Sequence, residues 1–303
     1  MRSNDNRGYG CVHTGGAMSG EAPDDDFEEF DETFGDGPDG GFGETEGPFE
    51  EDFAAAFDSG LSGGEFDEAF ESNLPRIDIG VEGLDEMVQG GVPERSLMVV
   101  IGSPGTGKTT FGLQFLNQAL EADETAVFIT LEESQQAVLD AANEKGWDFQ
   151  RHLDEERLAI VDLDPIEMAN SLASIRSELP ELVEEFGASR LVLDSVSLLE
   201  VMYEDQAERR TEIFDFTRAL KEAGVTTMLT SEASDDTPYA SRHGIIEYLT
   251  DGVFVLQYVR SEFRETRLAV EIQKIRNANH SRETKPYEIT SEGISVYQQA
   301  NIF

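Results

Sequence analysis

Lysine is nearly missing from this chain. Five occur in 303 residues, at 108, 145, 221, 274 and 285, against seventeen arginines and 63 aspartates and glutamates. The formal net charge is −41. So few cations argue against a broad phosphate-binding surface, although charge alone does not exclude nucleic acid. Heavy acidic load with depleted lysine fits instead a cytoplasm of very high salt, as in a halophilic archaeon. At ~1 M salt the Debye length falls to about 3 Å and self-repulsion is screened. On that reading most of the acidic surface serves solvation rather than a site. Cysteine is reduced to Cys11, so no disulfide framework exists, as expected in a reducing cytosol. No apolar run approaches the ~20 residues of a bilayer span, and no hydrophobic signal segment opens the chain. The expected location is cytoplasmic, with no membrane partner. Met18 opens the run "MSGEAPDDD", and a start there is as good a reading as a start at Met1.

Branched aliphatic residues are missing from the first quarter. Residues 1–73 have no isoleucine, no valine beyond Val12, and 21 acids against two arginines, a net of −19. The other 230 residues hold 42 acids and 20 bases, a net of −22. The first stretch cannot bury enough apolar surface to offset chain entropy, so 1–73 is expected to be a disordered acidic tail and 74–303 the folded domain. Yet the tail carries nine phenylalanines, eight of them in "FEEFDETF", "FEEDFAAAF" and "GEFDEAF". Rings three or four residues apart would align on one side of a transient helix. That pattern fits docking motifs for a protein partner's groove; the plainer reading is a solubilising tail with incidental aromatics.

From Arg76 the texture changes. "SLMVVIG" (96–102), "AVFITL" (126–131), "RLAIVDLD" (157–164), "RLVLDS" (190–195) and "VTTMLTS" (225–231) read as strands. Helices are expected after the first to about 120, then near 134–145, 168–186 and 206–223. "GVFVLQYV", "RLAVEIQKI" and "PYEIT…GISV" read as antiparallel strands joined by turns. The fold class is α/β: a mainly parallel twisted sheet flanked by helices, with a C-terminal antiparallel strand extension.

"GSPGTGKTT" (102–110) matches G-x-x-x-x-G-K-[ST] between a strand and a helix, the context a phosphate loop requires. Glycines let the backbone turn its N–H groups toward a phosphate, and the helix N-terminus adds partial positive charge. The candidate nucleotide-binding residues are Gly102, Ser103, Pro104, Gly105, Thr106, Gly107, Lys108, Thr109 and Thr110. Lys108 reaches the β- and γ-phosphates of ATP, and Thr109 offers a hydroxyl to Mg²⁺. Asp194, ending the apolar run "LVLD", is the second metal candidate, with a helix-capping aspartate the plainer reading.

The run "RIDIGVEGLDEMVQGGVPERSLMVVIGSPGTGKTTFGLQFL" resembles the opening of a KaiC-type domain of the RecA superfamily. The likeness continues through "VFITLEES", "RLVLDSVSLL", "VTTMLTSE", "LTDGVFVLQYV" and "KIRNANH…KPYEI", covering about 76–298 and leaving out the tail. It implies a RecA-like ATPase core assembling into a homo-oligomer, a hexameric ring, with ATP between subunits. The family's trans-acting K-x-R and following histidine fall on Lys274, Arg276 and His280. Two cations two apart on a strand share a face, which is also how a solvated strand face looks. RecA-type ATPases carry a water-activating glutamate at the end of the strand after the phosphate-loop helix, here Glu132 or Glu133, with Glu133 preferred as lying further into the loop. Acids before a helix capped by Ser134 are also plain helix-start chemistry. Ser231, flanked by Thr230 and Glu232, is the candidate γ-phosphate sensor.

One departure bears on activity. Where the family's autophosphorylating domain has neighbouring Ser/Thr, this chain has Glu247 and Tyr248, with Thr250 the one hydroxyl of the family's type nearby. Hydrolysis is expected rather than autokinase activity. Clock proteins of the family carry two such domains and this chain has one, so a clock role is not expected. The leading expectation is a regulatory or signalling ATPase. A RecA/RadA-like DNA-binding recombination ATPase is the alternative, although acids dominate its candidate loops despite Arg209 and Arg210. A non-catalytic nucleotide-binding scaffold is the third reading, which the full motif set opposes.

Overall fold

The described residues of this computed structural model are 74–260 and 266–298. The disorder and docking expectations for 1–73 lie outside them. The chain enters through a strand pair, β1 (Arg76–Ile77) and β2 (Val92–Pro93), that brackets the short helix α1 (Leu84–Val88). Asp85, in the first turn of α1, accepts hydrogen bonds from the N–H groups of Ile79 and Gly80 at 2.6 and 2.9 Å. The "IGVEGLD" run is therefore a turn locked by its own aspartate.

The alternating segments follow: β3 (Leu97–Gly102), α2 (Lys108–Glu121), β4 (Ala126–Thr130), α3 (Gln135–Glu144), α4 (Phe149–Asp154) and β5 (Leu158–Asp162). Next come α5 (Pro165–Phe186), β6 (Arg190–Asp194), α6 (Val196–Val201), α7 (Gln206–Glu222), β7 (Thr226–Glu232) and α8 (Ile246–Leu249). The chain ends in β8 (Gly252–Arg260), β9 (Thr266–Ile275), β10 (Lys285–Thr290) and β11 (Gly293–Val296). Nine strands form one sheet in the order β11-β10-β9-β8-β3-β7-β6-β4-β5. The six from β8 to β5 run parallel, and β9, β10 and β11 add the antiparallel extension. This is the expected α/β architecture. Among the described residues, four of the eight helices start on a side-chain cap; at one of them, Asp164 accepts from the N–H groups of Ile166 and Glu167 ahead of Pro165, so α5 begins earlier than periodicity alone suggests. The short helices α1, α4, α6 and α8 were not expected, being too brief to show a period.

Two apolar layers cover the sheet. Met98, Val100, Phe128, Val192 and Met228 pack in the layer that holds Phe111 and Phe115 of α2. Leu97, Val99, Ile101, Leu191, Leu193 and Leu229 pack in the layer holding Met168 of α5 and Phe216 of α7. Side chains alternate along a strand, so this parity carries to the carboxyl ends. Gly102, Thr130, Asp194 and Thr230 fall on the α2 side; Ser231 falls on the other. The crossover between β3 and β4, which are separated by β7 and β6, opens a crevice at those ends.

Candidate active site

The loop between β3 and α2 is shaped by glycines. A Cβ on Gly102 would meet Thr106 Oγ1 at 2.4 Å, and Gly105 and Gly107 take φ of 80° and 87°, the left-handed region. Thr106 is buried; its hydroxyl donates to Ser103 O at 2.8 Å and its carbonyl accepts from Tyr287 OH at 2.5 Å. Tyr258 OH donates to Pro104 O at 3.3 Å. Two tyrosines, one from β8 and one from β10 of the antiparallel extension, thus brace the loop from outside. Helix α2 begins with no side-chain cap and no acid in its first turn, leaving its N-terminal field for an anion. Lys108 folds back over the loop, donating to Gly102 O at 3.0 Å and Ser103 O at 3.4 Å. Thr110 follows in the same turn, half-buried.

Across the crevice Asp194 is 2% exposed. Thr109 Oγ1 donates to its Oδ2 at 2.7 Å, and Thr230 Oγ1 donates to its Oδ1. Burial pushes the Asp194 carboxyl above its ordinary value; the two hydroxyls and the Lys108 charge oppose this, and Glu133 adds to it. A hidden anion compensated mainly by two hydroxyls suits a hard cation. Thr109 and Asp194 offer the few oxygen ligands that Mg²⁺ takes from protein when phosphate and water complete its shell. Among the described residues no cluster of three or more His, Cys, Asp or Glu competes for a metal.

The two glutamates do not lie on a strand. β4 stops at Thr130, one residue earlier than expected, and Leu131 N–H makes a last bond to Asp194 O at 2.7 Å. Thr130 Oγ1 then accepts from the N–H groups of Glu132 and Glu133, at 3.2 and 2.9 Å, and donates to Glu133 O at 3.0 Å. This hydroxyl-built turn puts both glutamates in an exposed loop beside Asp194, so the opposite-face rule for strands does not separate them. Ser195 Oγ does: it donates to Glu132 Oε1 at 2.5 Å, while the Glu133 carboxylate has no side-chain hydrogen bond among the described residues.

Ser231 is not at the crevice. It is fully buried in the layer of α6, with its Oγ 3.2 Å from Ser197 Oγ, and Thr230 holds the crevice position. The strand is buried on both faces, so its sequence carries no polar–apolar alternation from which to read this parity. Ser195, Thr130, Tyr258 and Tyr287 are site neighbours that sequence reasoning missed, and Thr230 is the one it named but passed over for Ser231. The cation pair lies elsewhere. Lys274 sits opposite Val253 of β8 and donates to Glu247 O; Arg276 Nη1 pairs with Asp251 Oδ1 at 3.1 Å. Asp251 N–H bonds Leu97 O at the start of β3. Five residues at about 3.3 Å each put the level of Gly102 roughly 16 Å away along the sheet. His280 is in the turn beyond β9, with Nδ1 2.9 Å from Ser281 O, near α1.

A glycine-built loop on a helix N-terminus, its lysine, a buried aspartate bonded to the loop threonine and a RecA-like sheet define a phosphate-loop ATPase. The family model described as "ATPase: KaiC" matches residues 77–301, and the chain belongs to the KaiC family of ATPases. The circadian clock oscillator protein KaiC of Prochlorococcus marinus is 33% identical over 231 residues, 74% of this chain and 46% of that protein. KaiC of Synechococcus elongatus is 33% identical over 224 residues, 72% of this chain and 43% of its own. The chain thus spans about half the length of the curated relatives it matches. A solved KaiC-like protein from the hyperthermophilic archaeon Pyrococcus horikoshii is 35% identical, with a TM-score of 0.66 over 74% of this chain and 99% of that one.

Proposed function

We propose that this protein binds ATP with Mg²⁺ and hydrolyses it in a ring-forming homo-oligomer, hexameric by family resemblance, as a regulatory or signalling switch. The observation that carries this reading is the distance between the phosphate loop and the cations Lys274 and Arg276, at opposite ends of the same sheet. Cations so far from their own loop serve catalysis only at a neighbour's nucleotide. His280, at the same end, belongs with them.

The loop N–H groups and the α2 N-terminus hold the phosphates, and Lys108 exchanges the carbonyls of Gly102 and Ser103 for phosphate oxygens. Bound Mg²⁺, held by Thr109 and Asp194, supplies charge neutralisation. The geometry favours Glu132 over Glu133 as the group that orients the attacking water and takes its proton, because Ser195 fixes one of its oxygens. Glu133 then supplies field rather than proton transfer. Thr230 replaces Ser231 as the polar group closest to the metal aspartate. A cavity of about 650 Å³ lined in part by Pro286, Ile289 and Tyr297 lies beside the loop and fits a base and ribose. Thr250 is buried and donates to Ile246 O at 3.1 Å, which supports hydrolysis over autophosphorylation there.

Specific ATPase activity measured over a dilution series tests the reading. It should fall steeply as the oligomer dissociates; constant activity down to the monomer would overturn completion in trans. Stimulation by single-stranded DNA at high salt would move the reading to the recombination class. Co-purification with and without 1–73 would identify any protein that docks on the Phe-containing acidic tail.

A further inference from the structure

Glu200 lies on α6, six residues beyond Asp194. It is fully buried, and neither carboxylate oxygen has a hydrogen-bond partner. No other carboxylate among the described residues is left so. A buried, unpartnered carboxylate is strongly disfavoured against its neutral acid. Burial pushes Glu200 up to about 7, Glu247 adds to the shift, and Arg209 and Arg242 oppose it.

The charged groups around it are committed elsewhere. Arg209, on α7, donates through Nε to the backbone carbonyl of Glu200 at 2.9 Å and through Nη2 to Tyr203 O at 2.6 Å. Its Nη1 lies 3.4 Å from His243 Nδ1, in the loop 233–245. Arg242, in the same loop, pairs with Glu232 Oε2 at 3.0 Å. Glu247 of α8 accepts from the N–H and the hydroxyl of Ser241. Burial, with Arg209 and Arg242 close by, lowers His243, and its buried Nε2 has no partner. The loop leaves the end of β7, where Glu232 N–H donates to Ser197 Oγ of α6 at 2.7 Å. Helix α6, the end of β7 and the loop are therefore one hydrogen-bonded unit with an unpaired acid inside it.

We propose that Glu200 is a proton-operated latch on the loop 233–245: the neutral acid leaves Arg209 and Arg242 holding the loop, and loss of its proton draws a guanidinium away and frees the loop. Bonds to His243 and to Glu232 are the ones surrendered, because Arg209 keeps its two carbonyls on the chain segment that carries Glu200. Since the group is raised in the folded state, this arrangement is most stable in acid. It loses that stability as pH rises through about 7. The latch needs no nucleotide, so it stands or falls apart from the ATPase reading.

Hydrogen exchange of residues 233–245 in the nucleotide-free full chain, corrected for intrinsic pH dependence, tests it at pH 6 and pH 8. Wild-type protection should fall by about tenfold or more, while Glu200→Gln keeps its pH 6 protection at pH 8. An unchanged wild type, or the same loss in Glu200→Gln, overturns the proposal. Loss of the transition in His243→Gln with its survival in Glu200→Gln overturns it too, by assigning the proton to the imidazole. Should Glu200→Gln not fold, the Glu200 carboxyl carbon resonance in the wild type decides. A midpoint near 7 supports the latch, and one in the ordinary glutamate range removes it.

Discussion

Glu132 and Glu133 are adjacent, both exposed and both acidic, and what separates them is a hydroxyl 63 positions away in sequence from Glu132, that of Ser195. If Glu132 orients and deprotonates water, Glu132→Gln should lower kcat by about 10²–10⁴-fold with little change in KM, while Glu133→Gln should cost under roughly tenfold. Steady-state kinetics with Mg²⁺ and ATP at saturating protein concentration would read this; equal small losses would remove both as the base. The residues of the phosphate loop were legible in the sequence because their chemistry demands residue types in local order. Asp194 was legible because it ends an apolar run. The choice between the glutamates was not, since it depends on a partner from another strand, and neither was the exchange of Ser231 for Thr230. That pair stands on a strand buried on both faces, where polarity does not report parity.

At the scale of elements, the segment 79–88, α2 and β11 form a clamp through one side chain. Gln114 of α2 donates to Gly80 O at 2.8 Å and to Ile294 O at 3.2 Å, and accepts from Ile294 N–H at 2.6 Å. Gly293 is fitted to it: its φ is 120°, and a Cβ there would meet Gln114 Oε1 at 2.4 Å. Replacing Gln114 by Ala strands up to three backbone groups at a partly buried site. It should destabilise the domain by roughly 2–4 kcal/mol, seen as a lower urea midpoint with an unchanged slope. The strand–helix alternation was readable, since buried apolar runs and capped amphipathic helices declare themselves. The clamp was not, because a glutamine on a helix reads as a surface residue until the strand it meets, some 180 residues on, is known.

At the scale of the molecule, the sheet separates the phosphate-loop lysine from the cation pair that we propose acts in trans. Lys108 stands at the carboxyl end of β3, and Lys274 and Arg276 stand at the level of its first residue, where Asp251 bridges Lys221 and Arg276 at 2.8 and 3.1 Å. In the proposed ring, head-to-tail contacts join unlike surfaces, so the loop end of one protomer would meet the cation end of the next. Complementation follows from this geometry. A Lys108→Ala variant has a dead loop but intact cations; a Lys274→Ala/Arg276→Ala variant has the reverse. Each alone should be inactive. In an equimolar mixture, a site works when a cation variant supplies the loop and a loop variant supplies the cations, which random head-to-tail assembly provides at about one quarter of sites. ATPase activity of the mixture should therefore recover to roughly a quarter of wild type, after exchange at low concentration and reassembly with nucleotide. No recovery, with both variants shown to co-assemble by native mass, would mean that the cations serve their own protomer or none.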